Sequence, residues 1–385
     1  MNYLDIATQY LVSEIKGRYV TSQMILPFIN RLKSDFKKEI VGHSVLGKEI
    51  TLLTFGHGNK KILMWSQMHG NESTTTKGLL DFLNYLNTDE HFSAYIKENF
   101  TLYMIPILNP DGAEAYTRVN ANQIDLNRDA FEITQPESKV LRRLVEEIKP
   151  DFCFNLHDQR TIFGTTDHDK PATMSFLAPA FNDVREYNEA RMQSVRVINA
   201  IFDGLKEYIP NQIGRFDDSF NINCIGDYLM SCQIPTILFE AGHFKEDYNR
   251  DVVRKFVFIA LISAIYSINE NVIVNNELEK YLTIPQNSSY FFDFIYKNIK
   301  IIENNQEKII NFAAQFSEIL QNNVVIFEAK IAKIGDLQEN KGHYEFIGDG
   351  ELFSNGNINF PEIGQKADFN LNNMLKFCNG IKNND

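Results

Sequence analysis

Short apolar runs alternate with stretches of helical period along residues 60–268. Ile62, Leu63, Met64 and Trp65 form a run that reads as a buried strand, and residues 76–86 after it read as a helix. Residues 102–108 are a second apolar strand. Residues 136–148 are then a helix with Pro136 at its first position and Val140, Leu141, Leu144, Val145 and Ile148 on one face. Residues 152–156 give the next strand, 184–205 a long helix, 234–239 another strand and 248–268 another helix. Upstream, residues 1–35 suggest two helices, the second capped near Thr21 and Ser22. Residues 38–56 suggest a hairpin turning at Leu46, Gly47 and Lys48. The order predicts an α/β fold, a mixed central sheet sandwiched by helices.

The character changes after about residue 275. Residues 277–320 are rich in Asn, Lys and Ile with helical stretches, and residues 324–369 read as short strands broken by Gly and Asn. The expected organisation is a catalytic domain over 1–275 and a smaller accessory module over 276–385, helical and then β-rich. That module is expected to pack on the core or to cover part of a cleft, with a dimer contact, and so a homo-oligomer, as the alternative.

Composition narrows the class without naming a reaction. A 385-residue chain that is 44% hydrophobic and 23% charged is ordinary for a folded, soluble protein. A formal charge of -12 with no basic patch argues against nucleic acid and anionic membrane as partners. Cys153, Cys224, Cys232 and Cys378 lack CxxC spacing or dense pairing, which suits a reducing cytosol or indifference to redox state. The N-terminus carries acids rather than a basic start and an apolar core, so no signal peptide is expected. The longest apolar stretch, residues 256–268, falls short of the roughly eighteen residues a membrane span needs. Cytoplasmic residence is the resulting expectation.

The candidate chemistry lies where predicted strands end. His69 and Glu72, in QMHGNES, follow the first core strand, and His157, in FNLHDQ, follows the strand at 152–156. A strand-to-helix turn at one rim is where open α/β sheets place ligands. Two His and one Glu are a common donor set for a catalytic zinc ion, which keeps a fourth position open. The HxxE spacing after a strand differs from HExxH, where both histidines share one helix face, and excludes a helix-borne zincin.

With NPDG at residues 109–112, Arg118, DLNR at 125–128 and Glu240 in ILFEAG, the chain resembles the M14 zinc carboxypeptidases, the carboxypeptidase A-like family, from about residue 60 to 244. The resemblance implies one Zn2+ held by His69, Glu72 and His157, and Glu240 as the general base toward a water on the metal. It further implies that Arg118 stabilises the oxyanion and that Asn127 and Arg128 grip the substrate's free terminal carboxylate, Arg128 as a bidentate partner. Asp125 would accept a hydrogen bond from His69 and fix its tautomer. The activity implied is removal of a C-terminal residue from a peptide, with a peptidoglycan-derived peptide as one substrate. An amide deacylase of the aspartoacylase or succinylglutamate desuccinylase type and a non-catalytic carboxylate-binding module are the alternatives.

The digestive members carry a mobile tyrosine about twenty residues before the catalytic glutamate, whereas residues 216–226 here hold Phe216 and Phe220 and no tyrosine. Asp227 is open to two readings, a selector of basic side chains or a buried structural partner. NPDG reads as turn chemistry, since Pro presets φ and Gly permits positive φ. His243 reads either as a residue bordering the cleft near Glu240 or as a surface histidine.

Overall fold

The computed structural model describes residues 2–270 and 276–383, and the chain divides into two compact units. The first comprises Met1–Arg160 and Thr165–Asn287, the second Thr161–Gly164 and Ser288–Asp385. The boundary expected at residue 275 lies outside the described residues.

In the first unit, α1 (Tyr3–Gln9) and α2 (Ser22–Arg31) precede the hairpin of β1 (Phe36–His43) and β2 (Glu49–Phe55), and Thr21 caps α2 by accepting from the Met24 amide. Then come β3 (Lys60–Ser66), α3 (Thr74–Leu86), α4 (His91–Asn99), β4 (Phe100–Ile105), α5 (Pro110–Ala115), α6 (Pro136–Ile148) and β5 (Phe152–Asp158). After β6 (Met174–Leu177) follow α7 (Glu189–Leu205), β7 (Ile213–Arg215), α8 (Ile225–Ser231), β8 (Thr236–Ala241), α9 (Val253–Glu270) and α10 (Glu277–Leu282). Helix α7 starts at Asn188, whose side chain caps it, and not at residue 184 as the apolar spacing suggests. The polar stretch before it includes Arg185 at φ 56, which breaks the helical path.

The eight strands form one mixed sheet in the order β1-β2-β4-β3-β5-β8-β6-β7. Strands β4, β3, β5 and β8 run parallel, and β2 and β6 flank them antiparallel. Consecutive β3 residues face opposite sides, and both sides are covered. Ile62 and Met64 join the core built with α3, α7 and α9, while Leu63 and Trp65 join the core built with α6 and α8. Burial on both faces explains why these strands read as unbroken apolar runs. From β3 the chain crosses to β4 on one side and later to β5 on the other, so the C-terminal ends of β3, β5 and β8 share a topological switch point. Helix α10 stays with this unit because Arg196 and Asn199 of α7 bond Glu277, at 2.7 and 2.8 Å, and Tyr281 is buried. Among the described residues no helix is long and apolar enough to cross a membrane.

The second unit is β throughout its described sheets. Strands β9 (Phe291–Glu303), β10 (Gln306–Gln321), β11 (Val324–Ile334) and β12 (Lys341–Ile347) pair in the order β11-β10-β9-β12. A smaller sheet runs β13 (Phe353–Ser354), β14 (Phe369–Leu371), β15 (Leu375–Cys378) and β16 (Ile381–Lys382). Helical stretches expected over 277–320 are therefore strands from residue 291 onward. Tyr296, Phe312, Phe353, Phe369 and Phe377 form the buried aromatic cluster that this pleating aligns.

Candidate active site

Strand β3 delivers the first two candidate ligands through a loop that is packed backbone to backbone. Gln67 turns the chain at φ 46, and its amide nitrogen donates to the carbonyls of Val20 and Gly70, each at 2.9 Å. A Cβ on Gly70 would lie 1.8 Å from the Gly112 carbonyl carbon, so only glycine fits there. NPDG is the start of α5 with Pro110 at its first turn. Asn109 caps it through the Gly112 amide (2.9 Å) and donates to the Met68 carbonyl at 3.1 Å. The motif is structural, as its turn chemistry suggests, and it braces the loop carrying His69.

His69, Glu72 and His157 meet. Their ligand atoms all lie within 4.8 Å of one another, and all three side chains are buried. His69 Nδ1 is 2.8 Å from Glu72 Oε1, His157 Nδ1 is 2.8 Å from Glu72 Oε2, and the two imidazole Nδ1 atoms are 3.1 Å apart. His69 Nε2 lies 2.9 Å from Asp125 Oδ1. His69 thus has a carboxylate at each ring nitrogen, Asp125 at Nε2 and Glu72 at Nδ1, and Nδ1 is the nitrogen that also faces His157. Tetrahedral zinc ligands are separated by roughly 3.3 Å when metal–nitrogen bonds are about 2.0 Å. Two imidazole nitrogens and a carboxylate converging at such separations fit a divalent cation.

Electrostatics agree with a site built for positive charge. Burial works against ionised Glu72, but His69 and His157 outweigh it and hold its pKa well below the usual carboxylate range. Asp125 behaves likewise: burial is overcome by the His69 hydrogen bond and charge and by Arg118. Burial lowers His69 less than Glu72 and Asp125 raise it, whereas burial dominates at His157 and lowers it. Glu240 is pushed well above its ordinary value, by burial first and then by Glu72 and Asp158.

Glu240, on β8, is the register partner of His157 on β5, and its Oε2 is buried with no hydrogen-bond partner among the described residues. Arg118 bridges Glu72 and Asp125, Nη1 to Glu72 Oε1 at 3.2 Å and Nε to Asp125 Oδ2 at 3.0 Å, with its side chain 48% exposed. Asp125 caps the short 3-10 turn Leu126–Arg128 by accepting from the Asn127 amide at 2.9 Å. Asn127 Oδ1 accepts from the Ile225 amide at 3.0 Å, and exposed Arg128 donates to the Asn127 carbonyl (2.7 Å) and to Cys224 Sγ (3.1 Å).

Asp227 is buried, accepts from the Asn221 amide at 2.7 Å, and is raised to about 7, chiefly by burial. His243 is buried with its ring 4.7 Å from that of Tyr248, which corrects the surface reading. Tyr228 lies on α8 with the Arg142 guanidinium over its ring at 3.8 Å. Two residues escaped the sequence reading. Asp158 bonds the N-terminus of α3, and fully buried Arg250 ties the Gln159 carbonyl (3.0 Å) to those of Ala241 (2.9 Å) and Gly242, cross-linking the ends of β5 and β8. Neither carries a local sequence signal, since each acts across strands distant in the chain.

The family model for zinc carboxypeptidase (Peptidase_M14) matches residues 25–163. The probable carboxypeptidase 2 of Trichophyton verrucosum is 26% identical over 102 residues, 26% of this chain and 20% of that protein. The chain thus spans about a fifth of the length of the curated relatives it matches first. Among solved structures, the metallo-carboxypeptidase from Burkholderia cenocepacia superposes with a TM-score of 0.53 at 16% identity, over 66% of this chain and 70% of that one. The Pseudomonas aeruginosa metallo-carboxypeptidase, in complex with (2-guanidinoethylmercapto)succinic acid, gives 0.53 at 17% identity over 65% and 70%. Identities this low show a shared fold.

Proposed function

We propose, from the premise that this chain belongs to the zinc carboxypeptidase family, that it is a metallocarboxypeptidase hydrolysing the C-terminal peptide bond of a peptide. The observation that carries the reading is the convergence of His69, Glu72 and His157, with the unpartnered Glu240 oxygen in register on the neighbouring strand. His69, Glu72 and His157 would hold one zinc ion, which when bound supplies a Lewis acid for the scissile carbonyl and lowers the pKa of water. Glu240 takes a proton from the attacking water on its free oxygen and passes it to the amine of the leaving residue. Arg118 keeps N–H donors beyond those used on Glu72 and Asp125, and aims them at the carbonyl oxygen as it gains charge. Asn127, whose Oδ1 is already engaged, offers its amide nitrogen, and Arg128 its remaining donors, to the substrate's terminal carboxylate. The four free thiols support residence in a reducing compartment.

A substrate panel tests this reading. Blocked dipeptides with free C-termini, a peptidoglycan-derived peptide and N-acyl amino acids are incubated with and without chelator. Chelator-sensitive release of the terminal residue from the peptides is expected. Turnover confined to the N-acyl amino acids would make the protein a deacylase, and one equivalent of zinc with no turnover would make it a binding module.

A further inference from the structure

We infer that Asp158 holds the third candidate metal ligand against the first two, a positioning role that rests on the metal reading above. His69 and Glu72 arrive on the loop after β3, while His157 arrives on β5, so something has to fix one segment against the other. Helix α3 begins immediately after Glu72, and a helix start leaves N–H groups without partners. Ser73 occupies the cap position but makes no cap bond, because its hydroxyl donates to the Arg18 carbonyl. The cap comes from another strand instead. Asp158 Oδ2 accepts from the Thr74 amide at 2.8 Å and Oδ1 from the Thr75 amide at 3.1 Å, with the Thr75 hydroxyl at 3.4 Å. A carboxylate is the favoured group at this positive helix end.

The same residue holds Glu72 directly. The Asp158 backbone N–H donates to Glu72 Oε2 at 3.1 Å, the oxygen that also faces His157 Nδ1 at 2.8 Å. A closed ring results: His157, Asp158, the first residues of α3, Ser73, Glu72, and back to His157. Asp158 itself is buried, stands outside the group of converging donor atoms, and has its carboxylate oxygens engaged by α3. Its effect on a cation is therefore exerted through the separation of Glu72 and His157. Supporting groups of this kind typically change metal affinity by about 10–100-fold when removed.

The test is zinc affinity, measured with zinc alone by chelator competition on the full chain, alongside thermal melting of the metal-free protein. Wild type is expected to take up one equivalent. Asp158→Ala is expected to weaken zinc by about 10–100-fold, and Asp158→Asn, which retains one acceptor oxygen, to fall between the two. If Asp158→Ala does not fold, the Asn variant carries the comparison, with a several-fold loss expected. Asn188→Ala removes the side-chain cap of α7, the bond of 2.8 Å to the Arg191 amide, and serves as the control for a merely structural cap. It should lower the melting temperature and leave zinc affinity unchanged. Asp158 variants that melt lower yet bind zinc within twofold of wild type would reduce Asp158 to an ordinary cap. A folded wild type that binds no zinc would overturn the metal reading itself, and this inference with it.

Discussion

Glu240 and His157 stand opposite each other in register on adjacent parallel strands, so their side chains leave the same face of the sheet at the same height. Neighbouring strands lie about 4.8 Å apart, and among the described residues Glu240 stands outside the group of converging donors formed by His69, Glu72 and His157. On the function proposed above, that division would separate holding a metal from moving a proton. Glu240→Gln is accordingly expected to keep one equivalent of zinc while kcat falls by about 10²–10⁴-fold, the usual contribution of a positioned general base. Metal analysis and steady-state kinetics on the same preparation check it. Zinc lost together with activity would move Glu240 into the ligand set.

The buried Glu240 also makes a prediction about stability and pH. Its pKa in the metal-free fold is raised, by burial and then by Glu72 and Asp158, so between the ordinary carboxylate value and the raised one the folded chain binds more protons than the unfolded chain. Stability from this group is therefore present at low pH and is lost as pH rises through that window. Metal-free Glu240→Gln should melt above metal-free wild type at pH 7.5, and the gap should close toward pH 4.5. Saturating zinc should shrink the gap at pH 7.5, because a nearby cation favours the carboxylate. Equal melting temperatures at both pH values without metal would mean that Glu240 is not held in this environment.

Much of the site was readable because each of its strands is buried on both faces and ends abruptly in polar chemistry: Trp65 before His69, Leu156 before His157, Phe239 before Glu240. What escaped depends on approach in space. Ser73 carries the local signature of a cap, yet the bonds come from Asp158, eighty-five positions away in sequence. In the second unit the short strands read over 324–369 are present, whereas residues 291–320 are strands in place of the expected helical stretches, for a different reason. Its hairpins turn on Asn304-Asn305 and Asn322-Asn323, all at positive φ, the conformation normally announced by Asn-Gly. Between them, Ile-rich runs carry no decisive period, and a positive-φ Asn298 inserts a bulge that shifts the pairing register between Tyr296 and Ile299.

Arg128 is exposed and already lends one nitrogen to the Asn127 carbonyl and Cys224, an arrangement that orients the guanidinium before any substrate arrives. Arg128→Ala is expected to raise KM by about tenfold or more for peptides with a free C-terminus, a charge-assisted pair being worth roughly 1.5–3 kcal/mol. Amidated peptides should be much less affected. Matched kinetics on each peptide and its amide check this, and equal losses on both would remove Arg128 from the carboxylate grip.

Away from the site, Asp81 and Arg254 form an ion pair with both side chains fully buried, at 2.7 Å from each of two guanidinium nitrogens. The pair also pins the N-terminal segment, with Asp81 accepting from the Val12 amide at 2.7 Å and Arg254 donating to the Ile15 carbonyl. Burial raises the Asp81 pKa to about 6 despite Arg254, so the desolvation cost is offset only while both partners remain. Asp81→Ala leaves a guanidinium buried without its counter-charge, and is expected to destabilise the fold by about 3–5 kcal/mol. Replacing both residues together with apolar side chains of similar volume should cost much less. Urea unfolding of the single and double variants measures the difference, and a single variant within about 1 kcal/mol of wild type would show that water reaches Arg254.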